Sequence, residues 1–259
     1  MKLLKIILFF VFIPITLLSE KNPEVGIVEK LGQTIPLDLT FTNSEGKKVK
    51  LSEIINKPTI LSFVYYHCPG ICSPLTIGLS EVVDKTNLEP GKDYQLITIS
   101  MDPGETFDKA KTWRDNHISG LDKKIPYDSW QFLVGDTQSV RRITDAVGFY
   151  YKYDGKKDFI HAGAIYAIAP DGKIIRYLFG TEFKPFDFKM AILEASKGSP
   201  MPTVNKILEY CFSYDPEGRS YVFNFTKVIG TLMLLILGLF FAFLVITSRK
   251  RNKKGDQNG

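Results

Sequence analysis

The stretch "FVYYHCPGICSPLTIGL", residues 63–79, carries two of the three cysteines, Cys68 and Cys72, with three residues between them. It opens at the end of "PTILSFVYY", residues 58–66, an apolar run too short for a helix and rich in strand formers, which reads as a buried central strand. It closes in "SPLTIGLSEVV", residues 73–83, where Leu75, Leu79, Val82 and Val83 fall on one face of a helix and Pro74 suits the first turn. A two-cysteine loop therefore links a buried strand to a helix N-terminus, where the helix dipole favours thiolates.

Upstream, "IPLDLTFTN", "SEG" and "KKVKLSEI" (residues 35–54) read as a hairpin. Downstream, "YQLITISMD" is a second buried strand, and "PGETFDKAKTWRDNH" a helix starting through Pro103. "WQFLVG" is a third strand, and "DTQSVRRITDAVGFYY" a helix with Asp136 as N-cap. "AGAIYAIAPDGKIIRYLFG", residues 162–180, is a hairpin turning at Pro170-Asp171-Gly172, and residues 186–196 form a last helix. Strands alternating with helices and ending in an antiparallel pair predict an α/β fold, a mixed sheet with helices on both faces. With the cysteine loop in that position, the fold class is thioredoxin-like.

The ends of the chain report on a membrane. Lys2 and Lys5 precede an apolar run from Ile6 to Leu18, so residues 1–19 read as a signal peptide or an uncleaved N-terminal anchor. Residues 228–247 are twenty residues without a charge, which predicts a transmembrane helix. Arg249, Lys250, Arg251, Lys253 and Lys254 follow it, and the positive-inside rule places residues 248–259 in the cytoplasm as a basic tail. The remaining organisation is a linker over 20–31, a domain over 32–197 and a membrane-proximal segment over 198–227. The net charge of +5 comes from the two ends, and the segment between them is at about −1. The charge therefore implies no basic surface for nucleic acid.

Three cysteines in a domain of this size are no disulfide scaffold, so chemistry is the stronger reason for the close pair. Thioredoxin-type redox pairs have two intervening residues. With three, a partly helical loop sets the Cβ atoms roughly 5–6 Å apart, wider than the ~3.5–4.5 Å of a disulfide. Gly70 would ease bridging; otherwise the spacing suits two thiolates on one metal, and two soft sulfurs select Cu(I), Zn or an iron–sulfur cluster. A four-cysteine cluster site cannot be built, so a third ligand must come from elsewhere. His161, just before an apolar strand, is the candidate, although a lone histidine is more often a surface or hydrogen-bonded residue.

"YYHCPGICSPLTIGL", "ITISMDPGETFDKA", "AVGFYY" and "FIHAGAIYAIAPDGKIIRYLFG" together resemble the Sco/SenC family of copper-binding proteins, over residues 32–197. "LEYCFSYDPEGRSY" before an apolar segment resembles a bacterial branch with a C-terminal membrane anchor. The resemblance implies a thioredoxin-like domain serving assembly of cytochrome c oxidase. Carried over by position, it implies Cys68 and Cys72 as copper thiolate ligands and His161 as the distal imidazole ligand. Many members have an acidic residue where this chain has Gly70, which puts in doubt a role of the loop charge in partner docking. The implied cofactor is copper, as Cu(I) or Cu(II). The implied partners are the copper-centre subunit of the oxidase, a second copper chaperone as donor, and the membrane; the implied location is the bacterial inner membrane, with the domain facing the periplasm.

Three functions remain open at this stage. The first is a metallochaperone for the dinuclear copper centre. The second is a thiol–disulfide reductase in which Cys68 attacks and Cys72 resolves. The third is a peroxide sensor, which expects an activating arginine that the motif's neighbourhood lacks. Of the other candidates, His67 is expected to point away from the cysteines and His117 to sit structurally at a helix C-terminus. Cys211, outside the domain, is read first as a free thiol, with an intermolecular bridge or an auxiliary ligand as alternatives. Asp102-Pro103 is expected to shape a helix start, Met101 to be core, and Phe149, Tyr150, Tyr151 and Tyr153 to pack.

Overall fold

The computed structural model describes residues 23–156, 158–200, 212–215, 220–223 and 225–255. The N-terminal apolar run and Cys211 lie outside the described residues.

The chain begins with β1 (Gly26–Ile27), β2 (Thr40–Asn43), β3 (Lys48–Lys50) and the single turn α1 (Leu51–Ile54). β4 (Thr59–Val64), α2 (Cys72–Lys85), β5 (Gln95–Ser100), α3 (Phe107–Ile118), a 3-10 turn and β6 (Trp130–Val134) form the middle of the fold. α4 (Thr137–Ala146), β7 (Phe149–Tyr150), β8 (Lys152–Tyr153) and β9 (Phe159–Ile160) lead into the hairpin β10 (Ala164–Ile168) and β11 (Ile174–Phe179). α5 (Pro185–Lys197) follows, then the strands β12 (Phe212–Asp215) and β13 (Ser220–Phe223) and the helix α6 (Phe225–Gly255).

Seven strands form one mixed sheet in the order β11-β10-β4-β5-β6-β2-β3. β4, β5 and β6 run parallel, while β10 joins β4 and β2 joins β6 antiparallel. Every residue of β4, β5 and β10 is buried, so both faces of the sheet's middle are covered. That is why these strands read as continuous apolar runs rather than as alternating ones. The apolar face expected of α2 is observed, with Leu75, Leu79, Val82 and Val83 all buried. Next to it, Gly78 lies so close to the chain at Thr181 that a Cβ there would sit 1.8 Å from the Thr181 carbonyl oxygen.

The register carries the functional consequence. Ile165 pairs with Ser62 and Tyr166 with Leu61, so continuing this antiparallel register brings residue 161 level with residue 66. On the other side Val64 pairs with Ser100 in parallel. The carboxyl end of β4, from which the cysteine loop departs, is thus flanked by the start of β10 and by the segment that follows β5. Open α/β sheets present their sites at such carboxyl ends.

Three sequence expectations change. Leu51–Ile54, read with the returning strand of the first hairpin, form the helical turn α1. The third helix starts at Phe107, not at Pro103. Residues 102–105 form a turn in which the Gly104 N–H donates to Asp102 Oδ1, and Glu105 is drawn into the core. "GFYY" is not the end of a helix: Gly148 adopts φ +67° and the chain continues as β7, paired with β1. Asp136 caps α4 as expected, its side chain accepting from the Ser139 N–H.

Among the described residues no helix is long and apolar enough to cross a membrane. The run 228–247 falls within α6, whose side chains are described only in part, and its role is taken up below as a proposal.

Candidate metal centre

Cys72 is the first residue of α2, and its buried thiol lies beside two groups. The Tyr65 N–H donates to its sulfur at 3.5 Å, and His161 Nε2 stands 3.4 Å away. Cys68 is half-buried on the loop before the helix, and its sulfur accepts from the Gly70 N–H at 3.3 Å. The sulfurs of Cys68 and Cys72 and a ring nitrogen of His161 all lie within 4.8 Å of one another. The three residues that the sequence singled out are therefore brought together, although His161 is 89 positions from Cys72.

His161 is held in one orientation. It is buried, its Nδ1 is 3.0 Å from the Ala162 carbonyl oxygen, and its ring packs edge-on against Phe149 and Tyr65. A carbonyl only accepts, so in the neutral ring Nδ1–H donates to it and Nε2 carries the lone pair that faces the sulfurs. Metal-ligating histidines are oriented in this way. Gly163 keeps the two sides close, since a Cβ there would lie 3.2 Å from the Ile71 side chain in the cysteine loop.

The two thiols are electrically unequal. The hydrogen bond from Cys72 chiefly, with help from the Gly70 N–H and against the opposing effect of burial, holds the Cys68 thiol far below its ordinary value, at about 4. Burial first, and then the neighbouring Cys68 sulfur, push the Cys72 thiol well up. The pair thus holds one thiolate, on the half-exposed sulfur, supported by a buried thiol. This predicts an alkylation profile. Iodoacetamide should modify Cys68 at a rate that stays flat from about pH 8 down to about pH 5, whereas an ordinary thiol with pKa near ~8.5 loses roughly tenfold per pH unit over that range. Mass spectrometry of the Cys68 peptide reads this directly, and a rate still climbing between pH 7 and pH 9 would contradict the shared-thiolate geometry.

The sequence reading missed a second constellation. His67 does turn away from the cysteines, but it turns into a cluster with Asp102 and Glu105. Its Nδ1 is 2.6 Å from Glu105 Oε1. Glu105 Oε2 also accepts from the Tyr66 N–H at 2.7 Å and from the Ser100 hydroxyl at 2.6 Å. A buried carboxylate is tolerated only when it is paired and hydrogen-bonded, and this one gathers its donors from β5 and from the end of the central strand. It thereby pins the backbone two residues before Cys68. The available signal was an acidic residue five positions beyond a fully buried strand; reading it required the parallel register of β4 and β5.

His117 has a structural place, stacked on Trp113 with Nδ1 at 2.8 Å from the Trp113 carbonyl and Nε2 at 2.9 Å from the Ser73 hydroxyl. Met101 is core, and Phe149 stacks on Phe63 while Tyr153 is half exposed.

Comparison with known proteins agrees with this picture. Residues 29–193 match the SCO1/SenC family. The SCO1 protein homolog of Bacillus subtilis is 28% identical over 151 residues, which cover 57% of this chain and 75% of that protein. A crystal structure of an Aquifex aeolicus protein superposes with a TM-score of 0.58 at 29% identity, covering 64% of this chain and 95% of its own. The crystal structure of Arabidopsis thaliana ScoI with copper bound shares the fold, with a TM-score of 0.51 at 19% identity over 64% of this chain and 98% of that one. With a strand–cysteine loop–helix and a distant histidine on a mixed sheet, and with the match spanning most of its length, the chain belongs to the SCO1/SenC family.

Proposed function

We propose that this protein is a membrane-anchored copper metallochaperone. It binds one copper through Cys68, Cys72 and His161 and delivers it to the dinuclear copper centre of cytochrome c oxidase. The observation that carries the reading is the convergence of two thiol sulfurs and one oriented imidazole within 4.8 Å at the carboxyl end of β4. Two soft sulfurs with one borderline nitrogen suit Cu(I). Half-exposure of Cys68 gives an acceptor protein access to one sulfur, so ligand exchange can carry the transfer. The family, whose members include an ScoI crystallised with copper, supports the cargo. In cells lacking this chain, the oxidase should accumulate without its dinuclear copper centre, and added copper should restore part of it. Unchanged copper content of the oxidase in such cells would overturn the role.

A second reading has its own support. A half-exposed thiolate at Cys68 beside a buried Cys72 thiol is the arrangement of an attacking and a resolving cysteine. The reductase role would keep the oxidase's copper-site cysteines reduced, and the same two sulfurs would serve it.

The anchor is α6. The sequence from 228 to 247 is without charge, and side chains such as Leu234, Leu237, Leu239 and Phe241 are exposed on this helix, as a lipid-facing surface requires. The basic residues 249–254 orient it with the tail in the cytoplasm and the copper site across the membrane, on the periplasmic face in a bacterium. A reporter enzyme active only outside the cytoplasm should work when fused after Lys197 and fail when fused after Gly259. Equal activity at both positions would reverse or remove the anchor.

A further inference from the structure

We infer that the strands β12 and β13 form a membrane-seated foot: the face of their small sheet that carries Phe212, Tyr214, Tyr221 and Phe223 lies flat in the headgroup layer of the lipid bilayer. The inference goes beyond the copper reading and rests on α6 being the anchor.

The two strands read FSYD and SYVF. They pair antiparallel, Phe212 with Phe223, Ser213 with Val222, Tyr214 with Tyr221 and Asp215 with Ser220. Successive residues of a strand belong to opposite faces, and directly paired residues share a face. One face therefore holds Phe212, Tyr214, Tyr221 and Phe223, which are all the aromatic residues of the two strands. The other holds Ser213, Asp215, Ser220 and Val222. The sheet is thus amphipathic at a period of two. It also stands by itself, since among the described residues neither strand joins the seven-stranded sheet. Two strands alone are marginally stable in water, so an aromatic face of this kind calls for a cover.

The position of the sheet in the chain points to lipid as that cover. Only Asn224 separates Phe223 from Phe225, the first residue of α6. The uncharged run starts at Val228, so Phe225 precedes it by ~4.5 Å along a helix of 1.5 Å rise per residue. The run itself matches a hydrocarbon core of ~30 Å, and the headgroup layer adds roughly 5–7 Å on each side. With α6 as the anchor, Phe225 falls inside that layer, and the sheet begins there too. Upright strands would carry Tyr221 out of it, because two strand residues rise ~6.6 Å. A flat sheet keeps the four aromatic residues at one depth and leaves Ser213, Asp215 and Ser220 on the face toward water. Aromatic residues gather at this depth of a bilayer, tyrosine above all because it has an apolar body and a polar tip. The consequence for the copper site is a shorter leash. The connection between α5 and the bilayer shrinks from residues 198–227 to residues 198–211, which reach at most ~50 Å when fully extended.

The test uses the full chain in phosphatidylcholine vesicles whose acyl chains carry bromine either near the headgroups or near the bilayer centre. Bromine quenches tryptophan only at short range. The native Trp113 and Trp130 are buried in the domain, so the unaltered chain sets an unquenched baseline. Tyr221→Trp and Phe223→Trp should each add emission that is lost in the shallow-brominated vesicles and lost less in the deep ones. Ser220→Trp, on the other face, should lose less than Tyr221→Trp. Leu237→Trp, in the middle of the uncharged run, reports on the anchor and should show the opposite depth order. Quenching of Leu237→Trp without quenching of Tyr221→Trp or Phe223→Trp overturns the inference and leaves the anchor standing, with the aromatic face covered by protein instead. Equal losses for Ser220→Trp and Tyr221→Trp overturn the face assignment and the flat sheet with it. No quenching of Leu237→Trp in either vesicle removes the anchor itself.

Discussion

Cys68→Ala and Cys72→Ala should each abolish the sulfur-to-copper charge-transfer band and lower copper affinity by more than about 100-fold, since losing even an outer-shell partner of a metal costs ~10–100-fold. The two substitutions remove different things. Cys68 is the sulfur that carries the thiolate, and without it the remaining thiol is the buried one, pushed up by its surroundings. A metal must then displace a proton that the site holds tightly. Cys72 is the buried donor at the start of α2, and it also gives the hydrogen bond that keeps Cys68 ionised. Without it, Cys68 reverts toward an ordinary thiol, and the copper loses a ligand as well as a preformed thiolate. Equilibrium competition against a copper(I) chelator measures both losses. A single-cysteine variant with undiminished affinity would mean that copper is not held by the pair.

His161→Ala separates the two functional readings. The imidazole completes the metal site from the start of β10, and its loss should cost copper binding at least about the ~10–100-fold of an outer partner. Its effect on thiol exchange should be small. With Nδ1–H on the Ala162 carbonyl, the neutral imidazole gives Cys68 no hydrogen bond, and the Cys72 thiol and the Gly70 N–H remain to support the thiolate. Nucleophilicity falls with falling pKa at a Brønsted slope of about 0.4–0.5, so a modest rise in the Cys68 value changes the rate of attack by no more than a few fold. Reduction of a small aromatic disulfide, followed by absorbance beside the copper competition assay, reads the two quantities on one preparation. In cells, the chaperone reading expects His161→Ala to leave the oxidase copper-deficient, with partial rescue by added copper. Normal oxidase at low copper would remove the metal-carrying role and put the reductase in front.

How much of this was legible in the sequence follows from how local each signal is. β4, β5 and β6 are short, rich in apolar strand formers and bounded by turns, so their existence could be read directly, as could the β10–β11 hairpin with its Pro-Asp-Gly turn. The Asp136 cap is a contact across three residues and was equally visible. His161 was a weak candidate by spacing and became specific only through its family resemblance. Its reach to Cys72 depends on an antiparallel pairing that spacing along the chain does not encode. The pinning role of Glu105 was hidden for the same reason, because it joins Tyr66, His67 and Ser100 only once β4 and β5 lie in parallel register. The start of α3 was misplaced because Pro103 fits a first helical turn as well as it fits the tight turn observed. The choice between them is made by Glu105 turning inward, a tertiary effect.

One copper is expected to sit on two sulfurs and one imidazole. X-ray absorption at the copper edge, on reduced full-length protein loaded with one equivalent of Cu(I), tests it most directly. The expected spectrum has two sulfurs, from Cys68 and Cys72, and one imidazole nitrogen bound to copper, with the nitrogen lost in His161→Ala and the sulfurs retained. A first shell of nitrogen and oxygen alone, or a single sulfur unchanged by removal of either cysteine, would contradict it.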